Sequence, residues 1–141
     1  MNYPRVARFR TVADLRDHCK CLDAPIPFDD TVLSAEQSSP MASPYLIGSR
    51  SVGNRWCIHP MEGWDATPDG QPTPTVLRRW RHFGESGAKL IWGGEAIAVV
   101  PEGRANPRQL CSTSCQTEGL ALLVDTTRNA HKECFGSDDD L

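Results

Sequence analysis

The chain has 141 residues, of which 39% are hydrophobic and 23% charged, a balance that excludes a disordered polyelectrolyte and fits one folded domain with a buried core. Its formal charge of −3 argues against a nucleic-acid or anionic-membrane surface, which needs a basic patch. No run approaches the roughly 18 apolar residues of a membrane span, and the opening residues MNYPRVARFRTVADLRDHCK lack the apolar core of a secretory signal. The expected location is the cytoplasm, with the six cysteines as thiols.

Taken in order, the first element is a helix over residues 11–21. Thr11 supplies an N-cap with Asp14 three residues on, and Val12, Leu15, Cys19 and Leu22 form a short apolar stripe. Residues 23–44 are proline-rich and read as loop. Tyr45-Leu46-Ile47, a Gly48-Ser49-Arg50 turn and Ser51-Val52 predict a small hairpin. Residues 55–59 predict a strand closed by Pro60, followed by the long loop MEGWDATPDGQP.

Thr73-Pro74 then gives an N-cap with proline in the first helical position. In the helix that follows, Val76, Leu77, Trp80 and Phe83 share a face, Arg78, Arg79 and Arg81 lie mostly off it, and Gly84 and Gly87 mark the end. Residues 88–92 predict a second strand, halted by Gly93-Gly94-Glu95-Ala96. Trp80 and Trp92 are expected in the core. A loop containing PEGRANPRQL leads to a helix over 117–132, and Asp138, Asp139 and Asp140 read as a solvated acidic end.

Strands that alternate with helices imply a parallel sheet with right-handed crossovers, in which ligands collect beyond the carboxyl ends of the strands. The two unusual segments, HPMEGWD and GGEAIAV, both fall at such ends. Two parallel strands cannot close a barrel, and an eight-stranded one takes about 250 residues. The expectation is therefore an α/β chain that forms an incomplete (β/α)8 TIM barrel: an N-terminal hairpin plus about two β/α units, cut before the next strand.

Several pieces carry a family resemblance. They are IGSRSVGNR, the strand ending in HPM, DGQPT before a helix, SGAKLIWGGEAIAVVPEGR, the pattern GR-x-N-P-x-Q-L, and a helix ending RNAH-x-x-x-FG. Such pieces in the right order at the right intervals are specific where each alone is weak. Residues 45–141 resemble the N-terminal part of the Old Yellow Enzyme family, the FMN-dependent NADH:flavin oxidoreductases, and residues 1–44 read as an N-terminal extension.

The resemblance implies FMN at the carboxyl face of a barrel, with hydride passing from NADH or NADPH to the flavin and on to a small-molecule acceptor such as an activated alkene. By position, the backbone of Pro60 and Met61 runs beside the isoalloxazine ring. Ala96 is the small residue that lies close to it, and His59 stands beside the flavin edge. Glu62 departs from the pattern, because many members carry Thr or Cys there to tune the flavin. The residues that grip substrate, donate the proton and bind phosphate lie farther along in the family. Catalytic residues are thus expected beyond Leu141, with little or no turnover from these 141 residues alone.

Plainer readings stand beside these. Met61 fills a core gap, Trp64 and Asp65 either border a pocket or pin the loop, and Glu95 pairs with Arg104. Two readings come from other classes. One is an inactive association module that uses an open sheet edge. The other is a zinc module built from Cys111, Cys115, His131 and Cys134, against which the long intervening helix counts.

Overall fold

A computed structural model of the chain describes residues 4–112 and 117–141. The chain divides between Ser34 and Ala35 into two units. In the first, helix α1 (Val12–Cys21) begins in a complete capping box. Thr11 Oγ1 accepts from the Asp14 amide at 3.1 Å, and the Asp14 carboxylate accepts from the amides of Thr11 and Arg10 at 3.0 and 3.1 Å. The Thr11 side chain first, and then the Thr11 and Arg10 amides, hold the Asp14 carboxyl below its ordinary 3.8.

The second unit begins ten residues earlier than the expected boundary at 45. A short 3-10 turn at Pro40–Ala42 is tied in by the Arg55 amide, which donates to the Met41 carbonyl at 2.9 Å. Strands β1 (Tyr45–Ile47) and β2 (Arg50–Val52) form the expected antiparallel hairpin. Strand β3 (Cys57–Ile58), helix α2 (Pro74–Glu85), strand β4 (Leu90–Ile91) and helix α3 (Thr117–Phe135) follow.

β3 and β4 pair in parallel, Cys57 opposite Leu90 and Ile58 opposite Ile91. This is the arrangement the alternation of strand and helix predicts. The architecture is mixed α/β with two small open sheets, and no barrel is closed among the described residues. The strands are shorter than the expected 55–59 and 88–92, because Pro60 and the Gly93-Gly94 pair interrupt the ladder.

The pairing resumes farther on. Met61 lies opposite Glu95, so β4 has gained one residue relative to β3. Gly93 and Gly94 absorb it with φ of 75° and 63°. Gly94 also lies beneath the Trp80 ring, where a Cβ would stand 2.6 Å from the indole. A further parallel bridge, Ala98 opposite Cys111, draws part of the expected loop alongside, through Ala98 N to Leu110 O at 2.9 Å and Ser112 N to Ala98 O at 2.7 Å.

Helix α2 starts as its sequence dictates, with Thr73 Oγ1 accepting from Val76 N and Pro74 in the first turn. It ends at Glu85, between Gly84 and Gly87 as expected, and Gly84 has a second use. The absent side chain there lets α3 approach closely, since a Cβ would meet the Thr127 carbonyl and the Ala130 methyl. Thr127 Oγ1 reaches across to the Trp80 carbonyl at 3.1 Å. Ala66, Val76, Trp80, Leu110 and Leu123 form the core between these helices and the loops, with Leu77, Phe83, Ile97 and Leu120 packed against them.

Two expectations fail here. Trp92 is 65% exposed, because the glycine pair that follows turns the chain out of the sheet. The acidic end is bound and not merely solvated: Asp140 pairs with Lys89 at 2.6 Å and Asp138 with Arg128 at 3.0 Å. Among the described residues no helix is long and apolar enough to cross a membrane.

Candidate functional site

Beyond the carboxyl ends of β3 and β4 lies an open cavity of about 610 Å³. It is lined by His59, Met61, Glu62, Gly63 and Trp64 from the loop after β3, by Gly94 and Glu95 after β4, and by Arg79 and Phe83 of α2. Three of the five residues expected to hold a cofactor, His59, Met61 and Glu62, therefore face one space. Pro60 and Ala96 are not on its wall. Ala96 is nevertheless joined to the site, because its amide donates to the Met61 carbonyl at 3.2 Å.

The Ala96 backbone is used in both directions. Its carbonyl accepts from Gln109 Nε2 at 2.8 Å, while Gln109 Oε1 accepts from the Ala105 amide at 2.7 Å. With both backbone groups occupied, Ala96 offers a ring only its small side chain. Gln109, the Gln of the GR-x-N-P-x-Q-L pattern, is thereby a positioning residue that the sequence reading passed over.

Met61 is 77% exposed, so it does not fill a core gap. Glu62 turns toward Trp64, whose indole Nε1 donates to Glu62 Oε2 at 3.2 Å. Both side chains stay accessible. Trp64 thus borders the cavity, whereas Asp65 pins the loop. Its carbonyl accepts from Thr73 Oγ1 at 2.7 Å and its carboxylate from Arg79 Nη2 at 2.5 Å.

Arg79 organises the floor. Its Nη1 donates to Glu95 Oε1 at 2.5 Å, and Trp80 Nε1 donates to the same oxygen at 3.0 Å. The expected Glu95–Arg104 pair is absent. Arg104 instead donates to the carbonyls of Pro68 and Pro107, at 2.8 and 3.0 Å. The hydrogen bond to Asp65, with Glu95 adding to it, holds the Arg79 guanidinium above its ordinary pKa against the opposing effect of partial burial. Arg79 was expected off the apolar face. Yet Val76, Arg79 and Phe83 are spaced three and four apart, a helical stripe that carries Arg79 toward the loop.

The floor holds an imbalance. Two carboxylates share one guanidinium, and each keeps a buried oxygen without a partner, Asp65 Oδ1 and Glu95 Oε2. Such oxygens are rare in folded proteins. Glu95 is the more confined, its side chain only 2% exposed. Gly63 makes the packing possible, since a Cβ there would collide with Glu95 Oε2 and Arg79 Nη1.

The zinc alternative finds no support in the geometry. His131 is fully buried, with Nδ1 at 2.9 Å from the Gly84 carbonyl and Nε2 at 2.7 Å from Lys89 Nζ, so both ring nitrogens are engaged. Cys115 lies outside the described residues. Among the described residues no group of three or more His, Cys, Asp and Glu side chains could hold a metal ion. Cys19, Cys21, Cys57, Cys111 and Cys134 are free thiols.

Comparison with known proteins found no matching family model and no matching curated protein.

Proposed function

We propose that the chain carries the first β/α units of an FMN-dependent oxidoreductase of the Old Yellow Enzyme type, with one edge of the isoalloxazine ring lying along Pro60-Met61 and beside Ala96. The observation that carries this reading is the bond from Ala96 N to Met61 O. It joins the HPM and GEA segments, 35 residues apart in the sequence, at the carboxyl ends of two parallel strands. That is where an α/β sheet of this kind collects ligands.

The fit to FMN is that of a ring edge. Met61 is largely exposed, Ala96 has a small side chain, and the cavity is within the size range of cofactor pockets. The one guanidinium on its wall is committed to Asp65 and Glu95 and is not free to hold a phosphate. When bound, FMN supplies hydride acceptance and donation, with NADH or NADPH as reductant and an activated alkene or similar small molecule as acceptor. The residues of this chain orient it. Gln109 fixes Ala96, Ala96 fixes Met61, and the Arg79 bridge fixes the loop that carries Glu62 and Trp64. Surplus carboxylate at the floor opposes negative charge on a reduced ring. The chain alone is proposed to bind FMN weakly and to turn over little.

The test is an FMN titration followed by flavin fluorescence, together with an assay for NADH oxidation. Weak quenching that is lost when Ala96 is replaced by Trp supports the reading. Quenching that is indifferent to that substitution counts against it.

A second reading has its own observation. Tyr45, Leu46 and Ile47 of β1 are all exposed, and Trp56 nearby is 57% exposed, so this hairpin edge is an apolar surface suited to strand addition. A concentration-dependent sedimentation coefficient supports self-association there, and a monomer at all concentrations dismisses it.

A further inference from the structure

The segment that follows α3 is held as a ligand is held. Gly136 ends the helix with φ of 83° and nothing packed where a side chain would stand, and residues 137–141 then reach the end of β2 and the start of β4. Asp140 is gripped twice there: its carboxylate accepts from Lys89 Nζ at 2.6 Å and its carbonyl from the Gly53 amide at 3.1 Å. Gly53 leaves the room, since a Cβ at that position would overlap the Asp140 carboxylate. Lys89 is mostly buried and braced from behind, donating to Nε2 of the buried His131 at 2.7 Å with the Phe135 ring 5.3 Å away. Two residues before Asp140, the Asp138 carboxylate accepts from Arg128 Nε at 3.0 Å. Leu141 lines both of two adjoining cavities, of about 600 and 630 Å³, which also share Arg50, Lys89, Leu90 and Arg128.

The lining of this cleft is positive once the segment is set aside. It carries Arg50, Lys89 and Arg128, and its only acidic side chains, Asp138 and Asp139, belong to the segment itself. Beneath them the cleft is apolar, with Leu90, Ile97, Leu120 and Val124. From this we infer that the cleft between the hairpin, β4 and α3 is a recognition site for an acidic peptide of another protein, of the form Asp-x-Asp followed by an apolar residue, and that residues 138–141 fill it in cis. The carboxylate on exposed Arg128 adds little. The one on Lys89 carries the recognition, because that ammonium is desolvated and already oriented by His131. A tethered segment acts at an effective concentration in the millimolar range, so a partner enters only at a comparable level or when the segment is loosened. The cleft shares no lining residue with the cavity assigned to the flavin, and the inference does not depend on that reading.

The test uses the nitrogen-labelled whole chain and the unlabelled, acetylated peptide Ser-Asp-Asp-Asp-Leu, with Ser-Asn-Asn-Asn-Leu as its control. The acidic peptide is expected to displace the tethered segment. The Leu141 amide signal should then move saturably, with half the effect at about millimolar peptide, while the Gly53 amide stays near its original position. The asparagine peptide should be at least about tenfold weaker. Asp138→Asn combined with Asp140→Asn loosens the segment, and should lower the half-saturating concentration of the acidic peptide, read at Gly53, about threefold or more. Gly53→Ala closes the space for Asp140 without altering Lys89, and should abolish the response to the peptide. No movement of Leu141 at up to about 10 mM acidic peptide, an equal response to the asparagine peptide, no gain in the doubly substituted chain, or an unchanged response in Gly53→Ala would each overturn the inference.

Discussion

The amide of Ala96 donates to the carbonyl of Met61 across 3.2 Å, and this bond carries the β3–β4 pairing past two interruptions, Pro60 on one strand and Gly93-Gly94 on the other. It is possible only because the glycine pair takes positive φ and Gly94 passes under Trp80. Gly94→Ala is expected to destabilise the second unit by about 1–3 kcal/mol through overpacking and backbone strain. Hydrogen exchange at the Ala96 amide should accelerate more than exchange in α3. Unchanged exchange at Ala96 would show that the bond does not depend on this turn.

Arg79 should be costly to remove. Arg79→Met leaves Glu95 and Asp65 buried or half-buried without a counterion, at an expected cost on the order of 3 kcal/mol in denaturant unfolding. Arg79→Lys should recover only part of this, since an ammonium cannot reproduce the two-armed fork. Combining Arg79→Met with Glu95→Gln should cost less than the sum of the single changes. Strict additivity would mean that the pair is not coupled.

Gly63→Ala tests the same floor from above. The added methyl enters space held by Glu95 and Arg79, and a loss of about 1–3 kcal/mol is expected. A neutral effect in thermal unfolding would indicate that the carboxylate swings away freely.

The first unit carries a pH signature. Asp14 is held below its ordinary 3.8, so its contribution to α1 is complete above that value and is lost as pH falls through the lower folded value. Helix content of α1 should therefore decline as the pH falls below the ordinary carboxyl value of 3.8. Thr11→Ala should weaken the helix and shrink this acid step, because the largest cause of the shift is the Thr11 side chain. Helicity that is flat across the acid range would contradict the capping account.

His131 has a defined tautomer. The Gly84 carbonyl can only accept, so Nδ1 carries the proton, and Nε2 accepts from Lys89. Nitrogen chemical shifts should report the proton on Nδ1 and an accepting Nε2. His131→Leu should cost about 2 kcal/mol by leaving the Gly84 carbonyl and one Lys89 donor unmatched. A tautomer with the proton on Nε2 would contradict this arrangement.

What the sequence reveals follows the range of the interactions involved. Thr11 with Asp14 and Thr73 with Pro74 are local signals, and both helices start where these residues dictate. The parallel pairing follows from the alternation of elements, and the hairpin from its short spacing around Gly48. The Arg79 bridge depends on a loop returning over α2, and only the Val76, Arg79, Phe83 spacing hints at it. Trp92 was misjudged because an apolar strand ending looks the same whether the next residues continue the sheet or leave it. Gly84 and Gly87 mark the end of α2 correctly, but the close approach of α3 at Gly84 is not legible, because helix packing and helix termination both select glycine. Gln109 was missed because its role is a single long-range bond to a backbone carbonyl.

The most direct test of the central claim is an FMN titration of the uniformly nitrogen-labelled chain, read at the backbone amides of Met61, Glu62 and Ala96. The account predicts saturable shifts at these three positions at up to millimolar FMN, with the amides of α1 and of β1 unmoved. Shifts confined to other residues, or none at any of the three, would contradict a flavin edge along Pro60-Met61 and Ala96.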